Sequence, residues 1–219
     1  MRKVLAEFFG TLILVATVVG SGIMASGLSK DVGIRLLINT VSTVAVLAFI
    51  IAIFGSTSGA HFNPLVSIWS RIHGELSTKD LLSYMIAQFL GGYLGTLIAN
   101  AMFSRPLIEI SQHDRSGAPI YLGEIVATSG LMLAIGAHSR RATSMSPSVL
   151  IPLWIGAAYF FTSSTSFANP AVTFARGFSD SFAGIAPRSI IFFVIAQCIG
   201  AIVGIFIAGL STINKESTP

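Results

Sequence analysis

Charged residues are scarce in this sequence, and cysteine is almost absent. Asp, Glu, Lys and Arg make up 10% of the 219 residues, hydrophobic residues make up 53%, and the mean hydropathy is +0.81. Soluble domains carry about 25% charged residues, so the composition indicates an integral membrane protein. The single cysteine, Cys198, excludes an intrachain disulfide. The net charge of +4 comes from basic residues scattered between apolar runs, which argues against nucleic-acid binding.

Long apolar runs predict six membrane-spanning helices. A helix needs about 20 apolar residues to cross a bilayer core, and the runs of that order cover residues 4–26, 34–55, 80–103, 119–138, 147–163 and 187–211. The basic pairs Arg2-Lys3 and Arg140-Arg141 fall on the same side of this arrangement, which favours a cytoplasmic amino terminus. We therefore expect a multi-pass protein of the bacterial inner membrane.

Two Asn-Pro dipeptides, Asn63-Pro64 and Asn169-Pro170, stand inside charge-free windows that are longer than one span. The windows cover residues 36–70 and 142–175. Asparagine is a favoured helix N-cap, and proline is favoured at the first helical position. Each dipeptide therefore predicts a short re-entrant helix. These helices are expected over about residues 63–73 and 169–178.

Sequence segments from the first half recur in the same order in the second half. The matching positions are Glu7 with Glu124, Asn63 with Asn169, and Gln88 with Gln197, at offsets of 117, 106 and 109 residues. The pattern predicts one channel domain over residues 1–219, built from two repeats at about 1–104 and 117–212. Three spans per repeat is an odd number, so the second repeat is inverted in the membrane. The Asn-Pro segments are then expected to meet near the midplane, where non-helical backbone must line water or be covered by protein.

The double motif, together with the paired glutamates and glutamines, resembles the major intrinsic protein family of aquaporins and aquaglyceroporins. The resemblance extends over nearly the whole chain. It implies an all-α membrane fold, an aquaporin-like bundle of six transmembrane helices plus two re-entrant half-helices. It also implies a homotetramer in the lipid bilayer, with a pore in each subunit that passes water or small neutral solutes passively. No cofactor and no metal are implied.

The resemblance assigns roles to individual positions. The pore motifs comprise Asn63, Pro64, Leu65, Asn169, Pro170 and Ala171. His61 corresponds to a histidine that lines the inner vestibule. Buried glutamates of the family brace the half-helices through backbone N–H groups, and the matching residues here are Glu7 and Glu124. The paired glutamines Gln88 and Gln197 are assigned structural roles as well.

The chain departs from the family pattern at the outer constriction. The family usually has an arginine three residues after the second motif asparagine, and Val172 stands there in this chain. Counting from the motifs places the other filter positions at Thr43, Ala157 and Ser166, so a filter of small uncharged side chains is expected. Leu65 replaces the usual alanine of the first motif and must either point away from the half-helix tips or push them apart.

Arg176 lies four residues beyond Val172, on the same face of the predicted half-helix. Two roles stay open for it. It can reach the outer mouth of the pore and partly replace the missing arginine, or it can extend to lipid headgroups or loop carbonyls as an interfacial arginine.

These observations predict a passive channel with a widened filter, which passes water and larger neutral solutes such as glycerol, urea or arsenite-like metalloid acids. Two alternatives stay open: a strictly water-selective aquaporin, and an ion-coupled secondary transporter on an inverted-repeat fold. The transporter is disfavoured because no pore-facing carboxylate remains once Glu7 and Glu124 are assigned. The four histidines are isolated and no nucleophile–base pair is recognisable, so we expect no enzymatic activity.

Overall fold

The structure, a computed structural model, describes residues 1–210, and over that range it contains helices and loops but no strand. The helices are α1 (Arg2–Leu28), α2 (Val32–Ser58), α3 (Pro64–Ile72), α4 (Thr78–Met102), α5 (Ala118–Ser139), α6 (Pro147–Phe161), α7 (Pro170–Ala175) and α8 (Pro187–Leu210). A 3₁₀ turn, Arg176–Phe178, follows α7 directly. The predicted ends of the sixth span at residue 211 and of the second repeat at 212 lie outside the described residues.

Five helices, α1, α2, α4, α5 and α8, are long and apolar enough to cross a membrane. The fifth predicted span is shorter than expected, because α6 has 15 residues. Its length of about 22 Å is less than the roughly 30 Å of a bilayer core. The chain continues over residues 162–169 as irregular backbone that is mostly buried, as non-helical backbone at membrane depth requires.

Helix pairs in the two halves pack in the same way. α1 lies along α4, and α5 lies along α8. A Cβ atom on Gly95 of α4 would stand 2.4 Å from the carbonyl oxygen of Leu12 in α1, and one on Gly204 of α8 would stand 2.2 Å from the carbonyl oxygen of Ser129 in α5. Both helix pairs therefore depend on glycine for close approach of their backbones.

The two Asn-Pro motifs begin the short helices α3 and α7, as the sequence predicts. The side-chain oxygen of Asn63 accepts a hydrogen bond from the backbone N–H of Leu65 at 3.0 Å. That of Asn169 accepts from the N–H groups of Ala171 and Val172 at 3.0 and 3.2 Å. α3 and α7 contact each other, and both also pack on α4. The packing thus brings the two motifs together in the middle of the helical bundle.

Candidate functional site

The loops that lead into α3 and α7 carry left-handed backbone at corresponding positions. Ala60 and Phe62 have φ angles of 51° and 47°, and Ser166 and Ala168 have φ angles of 52° and 49°. Residues with a Cβ atom rarely adopt this region. Ser166 and Ala168 lie 106 residues after Ala60 and Phe62, which is the offset between the two motif asparagines. Such backbone persists only where surrounding contacts hold it.

Buried carboxylates supply these contacts. Glu7 of α1 and Glu124 of α5 are both fully buried, and each accepts hydrogen bonds from two consecutive backbone N–H groups of one loop. The donors are His61 (3.0 Å) and Phe62 (2.7 Å) for Glu7, and Phe167 (3.3 Å) and Ala168 for Glu124. A carboxylate inside a membrane protein is costly unless it is paired, and the loop N–H groups provide the pairing.

Glutamines join each carboxylate to its half-helix. Gln88 donates from Nε2 to Glu7 at 2.8 Å and to the hydroxyl of Ser67 in α3 at 2.9 Å. In the second half, Gln197 donates from Nε2 to Glu124 at 3.2 Å and to the hydroxyl of Thr173 in α7 at 2.8 Å. The structure therefore brings the four predicted structural positions together as two equivalent networks.

A cavity of about 240 Å³ lies between the two halves, and Asn63, Asn169 and His61 line it. Apolar side chains form most of its wall and include Leu14, Val18, Leu47, Ile51, Leu131, Ile135, Ile151 and Ile155. A solute in the cavity therefore meets hydrogen-bonding groups at only a few points.

The motif asparagines are oriented by the opposite loop. The amide nitrogen of Asn63 donates to the carbonyl oxygen of Ala168 at 2.8 Å, and that of Asn169 donates to the carbonyl oxygen of Phe62 at 2.7 Å. A side-chain amide has two N–H groups. Each asparagine therefore retains a second N–H group that can serve a solute in the cavity.

The α7 end of the cavity contains three of the four predicted filter residues, Thr43, Ser166 and Val172. Ala157 does not belong there: it is exposed on the outer surface of α6, and Tyr159 lines the cavity instead. Tyr159 is 3% exposed, and its hydroxyl lies 3.1 Å from that of Thr43. Each residue turns an α-helix by about 100°, so a counting error of two residues selects the opposite face. The expectation of four small filter residues is therefore wrong.

Arg176 lines the same end of the cavity and is 2% exposed. Its Nε donates a hydrogen bond to the carbonyl oxygen of Ala183, and its guanidinium carbon lies 3.3 Å from the centroid of the Phe167 ring. The structure thus combines parts of the two roles that the sequence left open. Arg176 bonds a loop carbonyl and also faces the cavity, and its burial excludes contact with lipid headgroups.

Leu65 points away from the cavity. It packs with Trp69 of its own helix, Met132 of α5 and Ala201 of α8. The half-helix tips therefore remain in contact, and the leucine fills space between α3 and its neighbours.

Tyr159, Phe167 and Glu75 are among the cavity residues that sequence reasoning missed, as is most of the apolar wall. Tyr159 could have been found from the sequence, because its hydroxyl is a polar group near the end of an otherwise apolar helix. Phe167 and Glu75 lie in loops, where no periodicity indicates direction. Glu75 is an exposed carboxylate that accepts a hydrogen bond from Ser70 at 3.2 Å. Because Glu75 lines the cavity, the expectation that no pore-facing carboxylate remains besides Glu7 and Glu124 is wrong. Within residues 1–210, no group of His, Cys, Asp and Glu side chains is arranged to hold a metal ion.

Backbone hydrogen bonds tie the loop between α4 and α5 to the 3₁₀ turn at the C-terminal end of α7. Asp114 in this loop accepts a hydrogen bond from the hydroxyl of Ser116. It also interacts with the side chains of Arg188 (3.2 Å) and Ser189 (2.9 Å) at the start of α8. These donors lower the pKa of Asp114 to about 2, so the carboxylate is charged at neutral pH and fastens the loop to α8.

Comparison with known proteins gives consistent matches. The model of the major intrinsic protein family matches residues 1–168. Aquaglyceroporin AqpS of Rhizobium meliloti is 46% identical over 201 residues, which cover 92% of this chain and 86% of that protein. Aquaporin Z of Brucella melitensis is 31% identical over 226 residues, covering 94% and 96%. The X-ray structure of the aquaglyceroporin from Plasmodium falciparum has the same fold, with a TM-score of 0.71 over 97% of this chain and 96% of that one at 20% identity.

Proposed function

This chain belongs to the major intrinsic protein family, and on that basis we propose that it is a passive membrane channel for water and small uncharged solutes. The observation that carries the proposal is the cavity lined by both motif asparagines. Each asparagine keeps one amide N–H for a passing solute oxygen, and the remaining wall is mainly apolar. A solute is therefore bound weakly, as rapid passage requires.

We infer that the solutes include neutral molecules larger than water, such as glycerol, urea or arsenite-like metalloid acids. Val172 supports this inference, because it lines the cavity where the family usually carries an arginine, and a valine is shorter and donates no hydrogen bond. The relative AqpS, named as an aquaglyceroporin, supports the same solute class. Tyr159 lines the same end of the cavity, and the space that its ring takes there favours the alternative of a strictly water-selective channel.

Charge exclusion follows from the same geometry. The N-terminus of α3 carries a partial positive charge toward the cavity, and Arg176 adds a full positive charge. Cations are therefore disfavoured. Glu7 and Glu124 are engaged by backbone N–H groups, which leaves them no role as proton relays of an ion-coupled transporter.

We also propose that residues 1–219 form one channel domain of two inverted repeats, with the amino terminus in the cytoplasm of a bacterial cell. The equivalent glutamate and glutamine networks support the repeat. The outer helix surfaces carry many exposed apolar side chains, which suits contact with lipid and with neighbouring subunits of a homotetramer.

Purified protein in liposomes tests the proposal. Stopped-flow light scattering should show faster entry of water, glycerol, urea and arsenous acid than into empty liposomes, with flux proportional to the gradient and a low activation energy. Acceleration of water alone would identify a strictly water-selective channel. Saturable uptake that collapses when a proton ionophore is added would identify an ion-coupled transporter.

A further inference from the structure

Arg176 is a buried cation with no carboxylate partner in the described part of the chain. Among residues 1–210 the ion pairs are Arg105 with Glu109 and Arg188 with Asp114, and neither includes Arg176. Its charge is stabilised instead by the carbonyl oxygen of Ala183 and by the ring face of Phe167.

This arrangement fixes the orientation of the guanidinium group. Arginine has five N–H donors in a rigid planar fork. Only the Nε donor is used by a hydrogen bond to the part of the chain that the structure describes. The terminal nitrogens of Arg176 therefore keep their donors for the cavity that the side chain lines.

We propose that the guanidinium of Arg176 forms an oxygen-binding subsite at the α7 end of the cavity, and that Arg176 is the specificity-determining residue for solutes with two or more hydroxyl groups. This inference rests on the proposed channel function and deepens it. Val172 supplies no donor at its own position, and the guanidinium of Arg176, one turn further along, supplies a planar pair of donors that suits two oxygens at once.

Solute chemistry sets the selectivity of such a subsite. A polyol or a trihydroxy acid offers two oxygens, which can accept from the two terminal nitrogens of the guanidinium at once. Urea offers a single oxygen, and its N–H groups meet the guanidinium donors unfavourably. The subsite therefore favours glycerol and neutral metalloid acids over urea.

The competing explanation is that Arg176 only holds the loop at residues 182–184. Arg115 is a matched control for it. Its guanidinium lies 5.0 Å from the centroid of the same Phe167 ring, and it donates to the carbonyl oxygens of Gly184 at 2.8 Å and Phe182 at 3.1 Å. Arg115 holds the same loop but does not line the cavity.

The test compares wild type, Arg176→Gln and Arg115→Gln in liposomes, with water, glycerol and urea as probes. The glycerol-to-urea permeability ratio should fall by about threefold to tenfold in Arg176→Gln, the size expected for the net loss of one ordinary hydrogen bond. The ratio should not change in Arg115→Gln.

An unchanged ratio in Arg176→Gln overturns the assignment, and so does an equal fall in Arg115→Gln, which would reveal a shared loop effect. If Arg176→Gln does not fold, Arg176→Lys is measured instead. It keeps the charge but loses the planar fork, so its ratio should also fall, and a wild-type ratio would overturn the assignment. Wild-type protein that passes none of the probes contradicts the channel itself, which is a different result from unchanged selectivity.

Discussion

Asn63 bonds the loop that leads into Asn169, and Asn169 bonds the loop that leads into Asn63. Each donates an amide N–H to a loop carbonyl of the opposite half, at 2.8 and 2.7 Å. The accepting residues, Ala168 and Phe62, have left-handed backbone. Each asparagine thus helps to stabilise the strained turn that positions its counterpart, and the two half-helix tips form one unit.

This linkage predicts that Asn63→Ala lowers both stability and conduction. The variant loses a helix cap and a cross-loop hydrogen bond, which together contribute about 2 kcal/mol. Thermal unfolding in detergent and water flux per channel in liposomes measure the two effects. Asn39→Ala is the control, because Asn39 is buried and bonds Val18 and Ser21 but does not line the cavity. Asn39→Ala should lose stability but keep the water flux of the wild type. Wild-type stability and flux in Asn63→Ala would contradict the linkage.

Val172→Arg is expected to reduce glycerol and urea permeation more than water permeation. The longer side chain narrows the α7 end of the cavity, and a larger solute is more sensitive to that change than water. Val172→Leu serves as a control for bulk without charge and should have a smaller effect. Swelling rates in proteoliposomes measure all three solutes. Equal fractional losses for water and for the larger solutes would count against the role assigned to Val172.

Gly95→Ala is expected to destabilise the protein by about 1–3 kcal/mol, as overpacking of a tight contact does. The new Cβ atom would stand 2.4 Å from the carbonyl oxygen of Leu12, and rigid backbone cannot yield cheaply. Gly55→Ala is the matched control in α2, where nothing lies within 4 Å of a new Cβ atom. It should be neutral or stabilising by up to about 1 kcal/mol. Thermal unfolding in detergent measures the stability of both variants. If Gly55→Ala is less stable than Gly95→Ala, the packing argument is wrong.

Asp114 predicts a pH-dependent contribution to stability. Its pKa is lowered to about 2 by hydrogen bonds from Ser116, Arg188 and Ser189. The folded state therefore favours the charged carboxylate, and the stabilisation is present above the unfolded pKa of about 4 and lost as the pH falls through about 2. Asp114→Asn should unfold at a lower temperature than wild type at neutral pH. The difference in unfolding temperature between Asp114→Asn and wild type should disappear on acidification. A difference that stays constant with pH would contradict the role assigned to Asp114.

Local signals in the sequence predicted much of the fold. The starts of α3 and α7 agree with the Asn-Pro motifs, because an N-cap and a proline act within a single helical turn. Apolar runs predicted the long helices for a similar reason, since length and composition alone decide whether a segment suits a membrane. The fifth predicted span extends two residues beyond α6, because Thr162 and Ser163 are uncharged and the absence of charge does not mark the end of a helix.

The candidate site was predicted less completely. Residues next to a motif, such as Val172, were assigned by adjacency and lie in the cavity wall. Ala157 was assigned by counting across a loop, and α6 turns it outward in favour of Tyr159. The difference is physical: position along a chain does not determine which side of a distant helix packs inward.

The sequence by itself determined that this is a membrane protein of duplicated design with two paired Asn-Pro helix starts, because those properties depend on composition and on neighbouring residues. Only the tertiary structure decided that Leu65 packs outward, that Tyr159 faces the cavity, and that Arg176 rests on Phe167 beside it. Side-chain direction depends on the rotation of each helix about its own axis. That rotation is set by long-range packing between helices rather than by any local segment of the chain.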